Sequence, residues 1–298
     1  MKKLIVPFLV LIAGMVACST VPFSGRSRID LVPNEAILAS SFSSYAEFMS
    51  QAPVSKNAAA TRQVREIGER IAKATDTYLR AIGLSSEASK YRWEFNLIAS
   101  DQVNAFCMPG GKIVVYEGIL PIARTDDQLA TVVSHEVAHA VAKHANERIS
   151  QQVAKQYGGQ ALSIALSGKS QVLQQVTSVV YGVGTDVLVT LPYSRLHEHE
   201  ADLIGLYLMA LAGYDYHQAA DFWVRMSGGR KESSDFLSTH PSDSKRIAAI
   251  QAEIPKVDAF MQDVREGKSA PAPTPANTSS YLDPAINKGR KVPLKIHY

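Results

Sequence analysis

The sequence predicts a predominantly helical α+β fold, and three observations carry that prediction. Apolar residues recur at three- and four-residue steps over most of the chain. Two-residue alternation is confined to a short central stretch, 91–116. The composition, 46% hydrophobic and 20% charged over 298 residues, supplies a core for one good-sized domain or two small ones.

In chain order, Lys2 and Lys3 precede an apolar run, Leu4 to Ala17, that is shorter than the ~20 residues a membrane span needs. The run ends in Met15-Val16-Ala17-Cys18, which resembles a bacterial lipoprotein signal, with Cys18 as the lipidated residue. The alternative is an ordinary secretory signal cleaved nearby. Residues 1–18 are thus expected as a signal peptide and 19–32, with Pro22, Gly25 and several serines, as a tether. Because Ser19 stands where aspartate would favour inner-membrane retention, the resemblance implies an outer-membrane lipoprotein facing the periplasm, joined to the membrane by its N-terminal lipid. Acylation of Cys18 would leave Cys107 without a disulfide partner, so the fold must stand on its core.

Helices are expected over Asn34 to Met49 and Thr61 to Ile82. Tyr91, Trp93, Phe95 and Leu97 alternate as a half-buried strand. Val103 to Phe106 and Ile113 to Tyr116 follow, separated by the turn residues Pro109-Gly110-Gly111. A small antiparallel sheet is the economical reading. Thr125 with Gln128 forms a capping-box start for the next helix. Glycine-broken aliphatic stretches from Glu147 to Gly184 suggest a mobile helical hairpin. Tyr193 to Leu211 is a further helix ended by Gly213. The folded domain is expected over 33–265, with a largely disordered tail at 266–298 that is rich in Pro, Ser, Thr and Ala.

The net charge is +3, of which Lys2 and Lys3 contribute two, leaving +1 for a processed chain. That is no basic signature, and it argues against nucleic acid as a partner.

His135-Glu136-Val137-Ala138-His139 carries the chemistry. Residues four apart on a helix lie about 40° apart in projection and roughly 6 Å along the axis, so both imidazoles face one metal ion. A zinc ion lowers the pKa of its bound water towards ~7. Glu136, about 100° around the helix from His135, is placed to take a proton as that water attacks an amide. With 8 histidines and 28 acidic residues in the chain, such a pattern arises by chance on the order of 0.02 times. A solvated helix with two incidental histidines is the bland alternative. Ser134 to Ala140, however, lies in an otherwise apolar segment, where unpaired His and Glu would cost several kcal/mol on burial.

The third ligand lies in His197-Glu198-His199-Glu200-Ala201-Asp202, where four side chains are chemically eligible. Helical spacing allows Glu198 to bind zinc while Asp202 orients a ligand histidine through its other ring nitrogen. The other three, His197, His199 and Glu200, would then form a solvated charged face.

Several segments in order resemble the membrane-associated gluzincin family that includes the HtpX-like proteases, the CAAX prenyl proteases and periplasmic lipoprotein proteases. These are Asn104-Ala105-Phe106 with Pro109-Gly110-Gly111, His135 to His139, Ser194-Arg195 with Glu198 to Asp202, and Ser238-Thr239-His240-Pro241. The resemblance implies a zincin fold with an active-site helix, one zinc ion per chain, Glu198 as third ligand, Glu136 as base and Asp202 behind the ligands. It also implies that Asn104 and Ala105 present a strand edge to an extended substrate. Cys107 reads as packing rather than as a nucleophile, and Val114 as core. His240 has three readings: a cap for the Pro241-Ser242-Asp243 turn, a donor to the oxyanion, or a fourth ligand that keeps the site latent. Arg195 and Tyr193 are lesser candidates for the oxyanion role.

The expected activity is a zinc endopeptidase acting on unfolded or misassembled cell-envelope proteins, with the outer-membrane assembly machinery as a further partner. Two rivals remain open. One is a zinc amidase acting on cell-wall peptides. The other is a chaperone or assembly factor on a latent protease scaffold, closed by 147–184 or by His240.

Overall fold

The computed structural model describes residues 18–157, 193–228, 235–240, 244–271 and 291–293. The N-terminus forms a hairpin, β1 (Cys18–Thr20) with β2 (Ser27–Ile29). Three helices follow: α1 (Asn34–Gln51), α2 (Ala58–Ala81) and the single turn α3 (Ser85–Ala88). The sheet comprises β3 (Glu94–Ile98), β4 (Ala105–Met108) and β5 (Lys112–Tyr116). The remaining helices are α4 (Asp126–Val141), α5 (His144–Tyr157), α6 (Arg195–Leu211), α7 (Gln218–Gly228), α8 (Asp235–Thr239) and α9 (Ser244–Arg265). A short ladder, β6 (Ser269–Pro271) with β7 (Lys291–Pro293), closes the chain. No helix among the described residues is long and apolar enough to cross a membrane.

The boundaries follow local chemistry. Asn57 caps α2 by accepting from the Ala60 N–H at 3.1 Å, and the apolar face of α2, from Val64 to Leu79, is buried. Gly68 lets α2 approach the sheet, because a Cβ there would stand 2.3 Å from the Phe95 ring. Thr125 caps α4 by accepting from Gln128 N–H, and Gln128 Oε1 accepts from the Arg124 N–H.

Two expectations need correction. The sheet has the order β3-β5-β4 and is mixed rather than antiparallel, since β5 runs parallel to β3 and antiparallel to β4. The tight Pro109-Gly110-Gly111 turn folds β5 back beside β4. The 99–104 connection carries β4 beyond, so that β5 enters between β3 and β4. Residues 19–32 are not a loose tether: Val21 and Phe23 belong to the main core, and Phe23 stacks on Tyr78 with ring centroids 4.2 Å apart. Of residues 266–298, 266–271 and 291–293 are described and include the β6–β7 ladder. Of the 147–184 hairpin, α5 accounts for the first part; residues 158–184 lie outside the described residues.

The core lies between α2, α4 and α6, with α2 packed on β3 and α4 on β4 and β5. At the centre α4 packs on α6, and Gly205 of α6 faces Ser134 and His135. This crossing positions the site.

Candidate metal centre

From Gln128 to Val141 every residue of α4 is buried. The helix therefore holds its polar side chains inside the protein, where each needs a partner. His135 and His139 point their Nε2 atoms at one another, 3.1 Å apart. From α6, Glu198 brings Oε2 to 3.4 Å from His135 Nε2 and Oε1 to 3.3 Å from His139 Nε2. His240, directly after α8, adds Nδ1 at 3.0 Å from Glu198 Oε1 and 3.3 Å from His135 Nε2. The four donor atoms lie within 4.8 Å of one another and all four residues are buried. A tetrahedron with metal–nitrogen bonds of about 2.0–2.1 Å has edges of about 3.3–3.4 Å. The observed separations and the nitrogen-plus-carboxylate donor set fit a zinc ion.

Charges around this set are strongly perturbed. Glu198 is fully buried, which opposes ionisation, yet His240, Arg246 and both motif histidines hold it well below the usual carboxylate range. His135 is also opposed by burial, and Asp202 and Glu198 hold it up at about 9. Burial pushes His139 well down. Burial also raises Glu136, with His240 and His135 easing the charged form. The Cys107 backbone N–H also eases the charged form, although no hydrogen bond of ordinary geometry reaches either Glu136 oxygen among the described residues. The nearest imidazole nitrogen, His240 Nε2, is 3.5 Å away. A buried carboxylate so weakly hydrogen-bonded, next to a ring of metal-type donors, is costly for folding alone.

Asp202 lies behind His135, its Oδ1 3.0 Å from His135 Nδ1. Arg246 holds that carboxylate through two 2.7 Å hydrogen bonds and also reaches Glu198 Oε2 at 3.0 Å. Behind His139 lies a different arrangement. His139 Nδ1 is 2.8 Å from His144 Nδ1, and His144 Nε2 is 3.0 Å from Glu200 Oε2.

Ala105 opens β4 and Asn104 immediately precedes it; β4 packs against α4 and has β5 as its one strand neighbour among the described residues. The Asn104 carbonyl accepts from Tyr116 N–H, so alternation turns the backbone groups of Ala105 and Cys107 away from β5. Further along that edge, the Val103 carbonyl accepts from Phe236 N–H of α8. Cys107 is buried in the core, where desolvation raises its thiol well above the ordinary range. Tyr193 is buried with its ring stacked on His139, centroids 3.9 Å apart. Arg195 is exposed and takes no place among these residues, a correction to its candidacy. Cys18 is exposed at the start of β1, and the Pro241-Ser242-Asp243 turn lies outside the described residues.

The charged run on α6 requires a larger correction. Glu200 is fully buried and His197 nearly so, rather than forming a solvated face. Both join a network with Arg26, His144 and Glu147. The five-residue step from His139 to His144 was the available signal. Arg26 gave none, because its partners lie 121 and 174 positions away.

The profile of peptidase family M48 matches residues 58–254. The chain belongs to peptidase family M48. It is 39% identical over 183 residues to the mitochondrial metalloendopeptidase OMA1 of Schizosaccharomyces pombe, covering 60% of this chain and 51% of that protein. The human mitochondrial metalloendopeptidase OMA1 is 30% identical, covering 56% of this chain and 33% of that protein. The beta-barrel assembly-enhancing protease of Escherichia coli is 25% identical, covering 57% and 37%. The chain thus spans about half or less of the length of the curated relatives it matches. The family is a gluzincin metalloprotease family, in keeping with the helical α+β zincin fold, and its members use zinc.

These relatives overturn the bacterial outer-membrane location. That expectation rested on the first eighteen residues, of which 1–17 lie outside the described residues. Relatives at 30–39% identity are mitochondrial by name, whereas the bacterial proteases match at 25 and 26%.

Proposed function

We propose that this M48 chain is a zinc-dependent endopeptidase that hydrolyses peptide bonds in extended segments of unfolded or misassembled proteins. His135, His139 and Glu198 hold the metal and Glu136 is the general base. One observation carries this reading: three metal-type donors from two crossing helices converge beside Glu136, a fully buried carboxylate with no well-formed hydrogen bond of its own. Zinc, when bound there, supplies an acidified water and a Lewis acid for the carbonyl. Glu136 takes the proton from the attacking water and hands it to the leaving amine, a task that suits its raised pKa. Asp202, backed by Arg246, fixes the ring of His135 with Nε2 turned to the metal. The substrate lies along the outer edge of β4, where the backbone of Ala105 pairs with it and Asn104 borders it. A link to protein assembly draws support from the names of two bacterial relatives, one printed as a beta-barrel assembly-enhancing protease and the other as a putative one.

A second reading, an assembly factor on a latent scaffold, is favoured by the burial of all four donors and by His240 sitting among them. Glu136→Gln separates the two. The variant should keep one equivalent of zinc and lose casein hydrolysis by at least about 10²-fold. Cleavage at the wild-type rate would remove Glu136 from the chemistry. Full complementation of a deletion strain by the inactive variant would favour the assembly role.

A further inference from the structure

We propose that Arg26, on the N-terminal hairpin, is a positioning residue for the metal ligand His139, acting through Glu200 and His144. The assignment rests on the zinc reading above, and it extends the site to a segment outside the family-matched residues.

The direction of each hydrogen bond follows from one constraint. His139 turns Nε2 towards His135 and Glu198, so that nitrogen must keep its lone pair for a metal and the proton sits on Nδ1. His139 Nδ1–H then donates to His144 Nδ1, 2.8 Å away. His144 in turn carries its proton on Nε2 and donates to Glu200 Oε2 at 3.0 Å. Glu200 accepts there through Oε2, and it is fully buried. Arg26 supplies the compensating charge: Nε donates to Glu200 Oε2 at 2.9 Å, and Nη2 lies 2.8 Å from the same oxygen. Ser24, on the same hairpin, donates to Glu200 Oε1. The other edge of the guanidinium engages Glu147 at 2.9 and 2.6 Å.

The two motif histidines are therefore wired alike. His135 runs through Asp202 to Arg246, and His139 runs through His144 and Glu200 to Arg26. Each wire ends on an arginine–carboxylate pair, the strongest hydrogen-bonded anchor side chains offer. They differ in origin. Arg246 lies within the family match, whereas Arg26 comes from the hairpin and is buried under α5 and α6. Loss of Arg26 would leave Glu200 a buried carboxylate without its cation. Glu200 would lose the donors that fix its Oε2 opposite His144, and the ring of His139 would lose its fixed orientation.

Arg28 provides the control. It is equally buried on the same hairpin and donates to the Ala142 carbonyl at the end of α4, but it makes no bond to Glu200. Zinc affinity of the full chain is measured by competition with a chelating zinc indicator for the wild type, Arg26→Met and Arg28→Met. The melting temperature of each zinc-free protein is recorded alongside. Arg26→Met should weaken zinc binding by about 10–100-fold and alter the visible absorption of the cobalt-substituted protein. Arg28→Met should lower the melting temperature while leaving zinc affinity within about twofold, as expected for hairpin docking alone. Affinity of Arg26→Met within about twofold of wild type, or an equal loss in Arg28→Met, would overturn the assignment. If Arg26→Met does not fold, Glu200→Gln breaks the same chain with an isosteric side chain, and unchanged zinc affinity there overturns it equally. Wild-type protein that takes up no zinc would bring down the zinc reading together with this one. Wild-type zinc binding with an unaffected Arg26 variant brings down only this one.

Discussion

His240 Nδ1 lies 3.0 Å from Glu198 Oε1 and 3.3 Å from His135 Nε2, at the fourth corner of the proposed ligand set. A catalytic zinc site keeps that corner for water or substrate. The side chain is held there by its backbone N–H, which donates to the Phe236 carbonyl at 2.7 Å, and by the Phe236 ring stacked at 4.4 Å. His240→Ala should therefore raise turnover of a casein-type substrate severalfold and leave zinc content near one equivalent, because three ligands remain. Unchanged turnover would place His240 outside the reaction altogether. The sequence left this residue with three readings because its partners come from helices 42 and 105 positions away. His135, Glu136 and His139 were legible because their spacing alone puts them on one helical face. Glu198 was one of four eligible donors, and only the crossing of α6 over α4 separates it from Glu200. That pair also shows where local reasoning failed. Two carboxylates two residues apart are both buried, one facing the ligand histidines and the other facing His144 and Arg26.

At the scale of elements, the crossing of α4 and α6 sets the distance between the motif histidines and Glu198. It is close because Gly205 brings no side chain: an added Cβ would stand 3.2 Å from Ser134 Oγ and 3.4 Å from His135 N. Gly205→Ala gains about 0.5–1 kcal/mol of helix propensity and asks Ser134 for a few tenths of an ångström, so its stability should stay near wild type. Gly205→Val adds methyl groups against the His135 backbone and should cost about 1–3 kcal/mol. It should also weaken zinc binding, because the two helices must separate. Denaturant unfolding of the zinc-free variants, followed by zinc titration, checks both statements. Equal stability of Val and Ala variants would show that the crossing has room to spare. The helices themselves were legible, since α1, α2, α4 and α6 each announce an apolar period or a cap within their own residues. The parallel pairing of β3 with β5 was not, because Phe95, Leu97, Ile113 and Val115 read the same in either direction. What decides it is the path of the 99–104 connection.

Over the whole molecule, the N-terminal hairpin and the family-matched region fold as one body joined by buried charge, and that has a consequence in acid. Glu147 is depressed from an ordinary 4.5 to about 2; burial works against this, and His197 and Arg26 together overcome it. A carboxylate whose folded pKa is lowered contributes stability that is fully present above its unfolded pKa. That contribution is lost as pH falls through the folded value. The stabilisation from Glu147 should therefore hold from neutral pH down to about 4.5 and fade between about 4.5 and 2. Loss of that charge should loosen the grip of Arg26 and with it the docking of residues 18–32 on α5 and α6. Glu147→Gln removes the titration, so the variant should be less stable than wild type at pH 7 and the gap should shrink towards pH 2. Both proteins are compared zinc-free, which keeps acid release of the metal out of the measurement, with urea unfolding at intervals between pH 7 and 2.5. A gap that stays constant over that range would mean that Glu147 keeps an ordinary pKa in the folded chain. The hairpin would then be held by Val21, Phe23 and the Arg28 contacts rather than by charge.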